Sequence, residues 1–254
     1  MAIQEYLSNT QVFNAADFRQ EFGESLTDRN LLVRAVRRGR VDRPRRGLYV
    51  SKTGPYSRGQ ADPFDVAVKV ADDVVFCFLS ALELHGVAHN LTFRTQFYTT
   101  HKITGFGYAG QEYQPLRYPT TPPVTRGLLT PSGRRYQVTT REQTLVDCLA
   151  RPNAAGGVEN VLRSACGFAH LDVDGVLAIA AGSSATLRAR LGWVLETRAV
   201  QWRVGTQALG TLAASLGAGP HYFSSAGIKH PHWVNRWRLY LPFPEQEMVA
   251  WMDQ

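Results

Sequence analysis

The sequence predicts an α+β protein: an N-terminal winged helix-turn-helix, a mixed α/β middle region and a mostly helical C-terminal region. Two closely spaced capped helices, followed by a basic β-prone segment broken by Pro and Gly, predict the first part. Short β-prone stretches separated by turns, within residues 95–139, predict the second. A helix-like run from Gly156-Gly157 almost to Gly217 predicts the third.

The first helix is read from its cap. In Phe13-Asn14-Ala15-Ala16-Asp17-Phe18, Asn14 is the N-cap, Phe13 and Phe18 form a hydrophobic staple, and Asp17 suits the positive end of the helix. This helix is expected to run to about Phe22 and stop at Gly23. The segment Leu26-Thr27-Asp28-Arg29-Asn30-Leu31 repeats the device, with Thr27 as N-cap and Leu26 and Leu31 as staple. The second helix is expected to continue to Arg38 and end at Gly39. Arg40-Val41-Asp42-Arg43-Pro44-Arg45-Arg46-Gly47-Leu48-Tyr49-Val50 then supplies two short strands around a basic tip, the wing.

Charge singles out the same region. The 254-residue chain carries a formal +7, is 44% hydrophobic and 19% charged, and so has the apolar material for a full core. Eight arginines and one acid, Asp42, lie between Arg29 and Arg46, while the rest of the chain balances 20 basic against 20 acidic residues. A neutral body with one all-arginine patch fits a polyanion docked at one place. At about 100° per residue, Leu31, Leu32, Ala35 and Val36 share one face of the second helix, and Asn30, Val33, Arg34 and Arg37 point the opposite way. Arg29 and Arg38 flank them. Guanidinium pairs bidentately with guanine and with phosphate, which gives a groove-reading helix a reason to prefer arginine. The expected DNA-binding set is therefore Thr27, Arg29, Asn30, Arg34, Arg37 and Arg38 on the helix, with Arg43, Arg45 and Arg46 on the wing holding phosphate or the minor groove.

The remaining elements follow in order. Residues 51–61 are polar and without periodicity, a linker, so the expected domains are residues 1–50 and 62–254. Asp62-Pro63 opens a helix bearing Phe64, Ala67, Val68 and Ala71 at helical spacing. Residues 74–79 form a strand or the core of a short helix, and periodicity does not separate the two. Ser80 is expected to cap a brief helix over residues 81–85, closed by Gly86. Residues 96–99, 107–113 and 136–139 are β-prone. Thr139-x-x-Glu142 and Thr140-x-x-Gln143 are overlapping capping boxes that start a helix to about Leu149. The helical run that follows breaks at Gly182 and near Arg203. All five tryptophans fall in the last 62 residues, which suggests a separately packed C-terminal unit.

Several stretches together resemble the AbiEi antitoxin/transcriptional regulator family of toxin–antitoxin systems. Arg37-Arg38-Gly39-Arg40-Val41 with Arg46-Gly47-Leu48-Tyr49-Val50 is similar to that family's basic helix, Gly stop and Gly-Leu-Tyr-Val wing strand. Ser80-Ala81-Leu82-Glu83-Leu84-His85-Gly86-Val87 resembles its Ser-Ala-Leu…His-Gly segment. Thr140-Arg141-Glu142-Gln143-Thr144-Leu145-Val146-Asp147 resembles its Glu-x-Thr-Leu-x-Asp helix start. Arg190-Leu191-Gly192-Trp193-Val194-Leu195-Glu196 resembles its Arg-Leu-Gly-Tyr-x-Leu-Glu helix, with Trp193 as a departure. The matches spread over residues 10–198, and nothing after Arg198 matches. The resemblance implies a winged-helix repressor of its own operon, bound to double-stranded promoter DNA at inverted repeats. It also implies a second domain that counteracts a nucleotidyltransferase-type toxin encoded nearby, directly or indirectly.

Other motifs favour no chemistry. Gly105-Phe106-Gly107-Tyr108-Ala109-Gly110 is a literal GxGxxG, but no helix can open after it and no acid lies about 20 residues on, so it reads as a hairpin. His221, His230 and His232 could ligate a metal, yet read better as ordinary surface or core histidines. His85 reads as structural, while for Asp147 and Glu196 buried anchoring on helices is as good an explanation as catalysis. The Trp-rich tail could stack on bases, although large aromatics more often fill cores. No cofactor, no metal and no enzymatic activity are expected; the alternative is a winged-helix-targeted nuclease or other defence enzyme with its active site in residues 62–254. The longest apolar runs, residues 74–79 and 176–181, fall short of a membrane span. With no visible signal peptide and three cysteines forming no CxxC pair, a cytoplasmic protein with reduced thiols is expected.

Overall fold

A computed structural model describes residues 2–23, 26–225 and 232–253, apart from the side chains of Leu26 and Asp28. The fold is α+β, in two compact units: Met1–Phe76 with Phe93–Thr120, and Cys77–Thr92 with Thr121–Gln254. The polar segment 51–61 lies inside the first unit and not at the division between units.

The first unit begins with α1 (Ile3–Asn9), β1 (Val12–Asn14), α2 (Ala15–Phe22), α3 (Leu26–Arg37), β2 (Val41–Arg45) and β3 (Leu48–Ser51). The strands form an antiparallel sheet in the order β1-β3-β2, with Phe13 opposite Tyr49 and Val41 opposite Ser51. Asn14 caps α2 as the sequence predicts: its Oδ1 accepts from the amides of Ala16 (2.8 Å) and Asp17 (2.9 Å), and Asp17 Oδ2 accepts from the Asn14 amide (2.9 Å). Such a reciprocal cap contributes about 1 kcal/mol. Phe13 and Phe18 stack at 6.1 Å, completing the staple. α1 and β1 have no counterpart in the sequence reading. α1 brings Tyr6 and Leu7 into a cluster with Phe13, Phe18, Leu32, Ala35 and Val41.

α3 starts at Leu26, two residues earlier than expected, so Thr27 lies in its first turn and is not the cap. The capping position, residue 25, and the Leu26 half of the expected staple lie outside the described residues. The C-terminus agrees with the sequence. Gly39 (φ +68°) donates to Val36 O and Arg40 to Ala35 O, both at 3.0 Å, a Schellman closure that needs a residue at ease with positive φ.

The unit continues through a 3-10 turn at Gly54–Tyr56, α4 (Pro63–Val68) and β4 (Val75–Phe76). It resumes with β5 (Arg94–Thr99), β6 (Phe106–Tyr108) and β7 (Gln111–Arg117), ordered β6-β7-β5-β4 with β5 and β7 parallel. Asp62 caps α4 through the Phe64 amide at 2.8 Å. Ala71 falls beyond the end of that helix.

The second unit opens with α5 (Phe78–Leu84), which answers the ambiguity of residues 74–79: β4 ends at Phe76 and the helix starts two residues later. Ser80 therefore sits buried inside α5 instead of capping it, while Gly86 (φ +72°) follows its end as expected. The hairpin β8 (Thr125–Leu129) and β9 (Arg135–Thr139) leads into α6 (Arg141–Ala150), capped by Thr140 Oγ1 accepting from the Gln143 amide at 3.2 Å. Next come a 3-10 turn (Pro152–Ala155), α7 (Val158–Cys166), α8 (Val173–Ala180), α9 (Ala185–Thr197), α10 (Ala199–Trp202) and α11 (Thr206–Ala214). The chain then forms a small sheet of β10 (His221–Tyr222), β11 (His232–Val234) and β12 (Leu239–Leu241), ordered β10-β12-β11, and ends with α12 (Glu245–Ala250). The last third is thus less purely helical than expected.

α9 is the axis of this unit, burying Leu187, Ala189, Leu191, Gly192, Trp193, Val194 and Leu195. Its partners come from the tail. Trp193 Nε1 donates to Glu245 Oε1 (2.9 Å), Trp237 Nε1 to Glu196 Oε2 (2.5 Å), and the Trp237 ring lies against Gly192. The tryptophan-rich tail is therefore part of a core that begins at residue 77, and not a unit of its own. Among the described residues, no helix is long and apolar enough to cross a membrane.

Candidate nucleic-acid interface

The amphipathic reading of α3 holds at the level of exposure. Leu32 and Ala35 are buried, Leu31 and Val36 half-buried, while Thr27, Arg29, Asn30, Val33, Arg34, Arg37 and Arg38 are all exposed. At about 100° per residue the last six fan across about 180° in the order Arg29, Val33, Arg37, Asn30, Arg34, Arg38. Val33, 48% exposed, is the apolar member of that ridge. Asn30 and Arg37 form its crest, Arg29 and Arg38 its flanks.

A cleft lies along each flank. On the Arg29 side, a cleft of about 590 Å³ is lined by Arg19, Arg29, Val33, Arg43, Arg46 and Tyr49. On the other, about 700 Å³ is lined by Arg34, Arg38, Arg40 and Lys52, with Glu5 of α1 at its edge. Arg19 and Lys52, outside the set expected from the sequence, thus join the basic surface through the packing of α2 and the end of β3.

The β2–β3 hairpin is pinned at its tip. Arg45 pairs with Leu48 across the Arg46-Gly47 turn, Gly47 takes φ +83°, and its carbonyl accepts from the Ala15 amide at 2.8 Å. Arg43 and Arg46 stay exposed. Arg45 departs from the expected phosphate-facing position. Its guanidinium lies over the Phe106 ring at 5.4 Å, and Nη1 is buried without a hydrogen-bond partner. The pairing of β2 with β3 shifts register between Asp42 and Arg45, an irregularity that breaks the alternation by which Arg43 and Arg45 would share one face.

The lone acid of the basic segment is engaged elsewhere. Asp42 Oδ2 lies 3.2 Å from Lys52 Nζ and accepts from the Tyr108 hydroxyl at 3.0 Å. Burial first, and then Asp42, push the Tyr108 phenol well above its ordinary pKa. No described acid pairs with Arg29, Arg34, Arg37, Arg38, Arg43 or Arg46 among the described residues. The arginine surface is thus left with its charge.

The other motifs resolve structurally. Gly105–Gly110 builds the β6–β7 hairpin, with Ala109 (φ +51°) and Gly110 (φ +81°) as its two-residue turn and no helix behind it. His221 is buried with Nδ1 3.3 Å from Thr186 Oγ1, His232 is exposed on the opposite edge strand, and His230 lies outside the described residues. Asp72, Asp73 and His101 approach one another, a cluster the sequence reading missed. Asp73 there accepts from Thr99 Oγ1 (2.5 Å) and from Thr100 N and Oγ1 (2.6 Å each). Burial raises its pKa, but these hydrogen bonds outweigh that and hold it below the usual value. The cluster ties two loops together. His85 Nε2 lies 2.8 Å from Thr139 O, and Asp147 Oδ1 accepts from Gln143 Nε2 at 2.8 Å, so both are engaged in hydrogen bonds within their unit.

No protein-family model matches the chain, and no curated protein matches it. Among solved structures it is similar to the Rv2827c protein of Mycobacterium tuberculosis, with a TM-score of 0.69 at 15% identity, over 98% of this chain and 92% of that one. At that identity the likeness speaks for a shared fold.

Proposed function

We propose that this protein is a DNA-binding transcriptional regulator, acting in the cytoplasm, in which α1–β3 form a winged helix-turn-helix. α2 and α3 are the helix-turn-helix, α3 enters the major groove, and the β2–β3 hairpin is the wing. The observation that carries the reading is the α3 ridge: six exposed residues, four of them arginines, flanked by two basic clefts, with the segment's one acid tied to Lys52 and Tyr108. Asn30, Arg34 and Arg37 read bases, and Arg43 and Arg46 hold phosphate. Together with the family resemblance, this supports an autoregulating antitoxin whose remaining residues counteract a toxin encoded nearby. No catalytic step is proposed.

The test is binding of the full-length protein to the duplex upstream of its own gene. R34A and R37A should each cost about 1–3 kcal/mol and relax sequence preference. Parent-like affinity in both variants removes α3 from the interface. The antitoxin half is read separately: the R34A/R37A protein should still rescue cells expressing the adjacent toxin, and rescue that needs the arginines reduces it to transcriptional control.

A further inference from the structure

The outer edge of β8 is a row of backbone groups left open. β8 pairs with β9 from Thr125–Thr139 to Leu129–Arg135 without a bulge, and it is the last strand on that side of its sheet. Val124 O accepts from the Thr140 amide (2.9 Å) and the Thr130 amide donates to Arg134 O (2.8 Å), so the even-numbered residues carry the bonds to β9. The N–H and C=O groups of Thr125, Gly127 and Leu129 therefore point outward, and no described residue bonds to them. All three residues are exposed. A proline or a bulge commonly blunts such an edge, and β8 has neither. Val124, 49% exposed, and Leu129, 64% exposed, frame it with apolar surface.

Each face of this edge carries a guanidinium. Arg126 shares its face with Tyr136 and Val138, which are buried, yet is itself exposed. Arg135 starts from the opposite face and leans diagonally onto β8. A Cβ at Gly127 would lie 3.6 Å from Arg135 Cδ, so the stem brings its charge over the edge strand. Neither arginine pairs with an acid among the described residues. The chain has no Asp or Glu between Glu112 and Glu142.

We infer that β8 receives an extended acidic segment of a protein partner, which adds to the sheet as a further strand. The edge offers three donors and three acceptors in alternation, and another strand answers both. Phosphates accept and do not donate, so a nucleic-acid backbone would leave the three carbonyls unmet. A second copy of β8 would gather two Arg126 and two Arg135 side chains on one short ribbon, which like charges oppose. Successive acids on an incoming strand fall on opposite faces, one beside Arg126 and the next beside Arg135. None of this depends on the DNA-binding reading of α3.

The test presents full-length protein with an array of heptapeptides in which Val, Ile and Thr vary around a central Asp-Glu, Asn-Gln or Lys-Arg pair. The Asp-Glu set should be retained about ten-fold over the Lys-Arg set. R126E/R135E should reverse that preference, an exchange that loss of fold does not produce. L129P removes an outward N–H and leaves the bonds to β9 in place, so it should abolish retention of every set at an unchanged melting temperature. The inference is overturned if the wild-type protein shows no preference for the acidic set, or if L129P retains it as before. It also falls if R126E/R135E keeps the wild-type preference, which would place the peptides on the N-terminal arginines. Sedimentation that shows a dimer dissociated by L129P would give the edge to a second copy. Promoter binding lost in R126E/R135E would give these arginines to DNA, while R34A and R37A remain the separate test of α3.

Discussion

The Tyr108 hydroxyl donates to Asp42 across 66 residues of chain, joining the β6–β7 hairpin to the first strand of the arginine-bearing hairpin. One residue pair thereby performs two tasks. It satisfies the only acid among eight arginines, and it fixes β2 against β6, where Arg45 lies over Phe106.

Removing the hydroxyl tests that joint. Y108F should cost about 1–2 kcal/mol in urea unfolding, the range for a hydrogen bond to a charged acceptor that is partly exposed. A change within a few tenths of a kcal/mol would mean that Lys52 alone holds Asp42.

The same phenol belongs to an alkaline set. Tyr6, Tyr108 and Tyr113 are all held above the ordinary tyrosine value by burial first, Tyr6 to about 12 with Asp17 and Glu21 adding to it. A folded pKa above the unfolded one gives stability that is intact below about pH 10 and lost as pH rises through the folded values. Absorbance titration of the native protein should therefore show Tyr6, Tyr108 and Tyr113 ionising above the ordinary tyrosine range. Ten phenols ionising together near pH 10 would contradict the burial argument.

Arg45 separates packing from phosphate contact. R43A and R46A should each flatten the salt dependence of DNA binding by about one unit of slope. R45A should leave the slope unchanged and lower stability through the lost stacking on Phe106. Equal slopes for R43A and R45A would return Arg45 to the DNA.

His85 carries a pH dependence of opposite sign. Burial first, with Arg141 and Arg126, holds its pKa below the ordinary value against the pull of Thr139 O. A depressed folded pKa gives stability present above about pH 6.5 and lost as pH falls through the folded value. H85Q, whose amide can still donate to Thr139 O, should flatten the fall in melting temperature between about pH 7 and pH 5. His221 shifts the same way, so a residual slope should persist. An unchanged profile would remove His85 as its source.

Gly192 is occupied by its neighbour. A Cβ there would run into the Trp237 ring, so G192A should destabilise by about 3 kcal/mol, the upper end for overpacking. A wild-type melting temperature would show that the tail lifts off α9 at little cost.

What the sequence made legible was local. Asn14, Gly39, Asp62 and Thr140 mark helix ends because a cap is decided within four residues of chain. Exposure along α3 followed from periodicity for the same reason. α1, β1 and β8 were not legible, since short segments of mixed polarity acquire structure only by pairing with distant chain, as Val12 does with Val50. The start of α5 at Phe78 escaped because that residue sits at φ +48°, a conformation its side chain gives no reason to expect. Arg45 looked like its neighbours because nothing in a basic run tells which guanidinium will meet a ring sixty residues away. The fate of the tail tryptophans was hidden for a similar reason: Trp233 and Trp237 are four residues apart, yet only Trp237 is buried.

The distance between Asp42 and Tyr108 also has a meaning in time. On the ribosome, at about 5–20 residues per second, the basic hairpin emerges roughly 3–13 seconds before the strand that anchors it. During that interval the nascent chain displays all its arginines, Arg45 included, with Asp42 not yet engaged by Tyr108. A message truncated between these points would yield a cationic fragment that has lost the restraint of the finished protein. Synthesis itself, and not a ligand, thus sets the moment at which Arg45 is withdrawn from solvent.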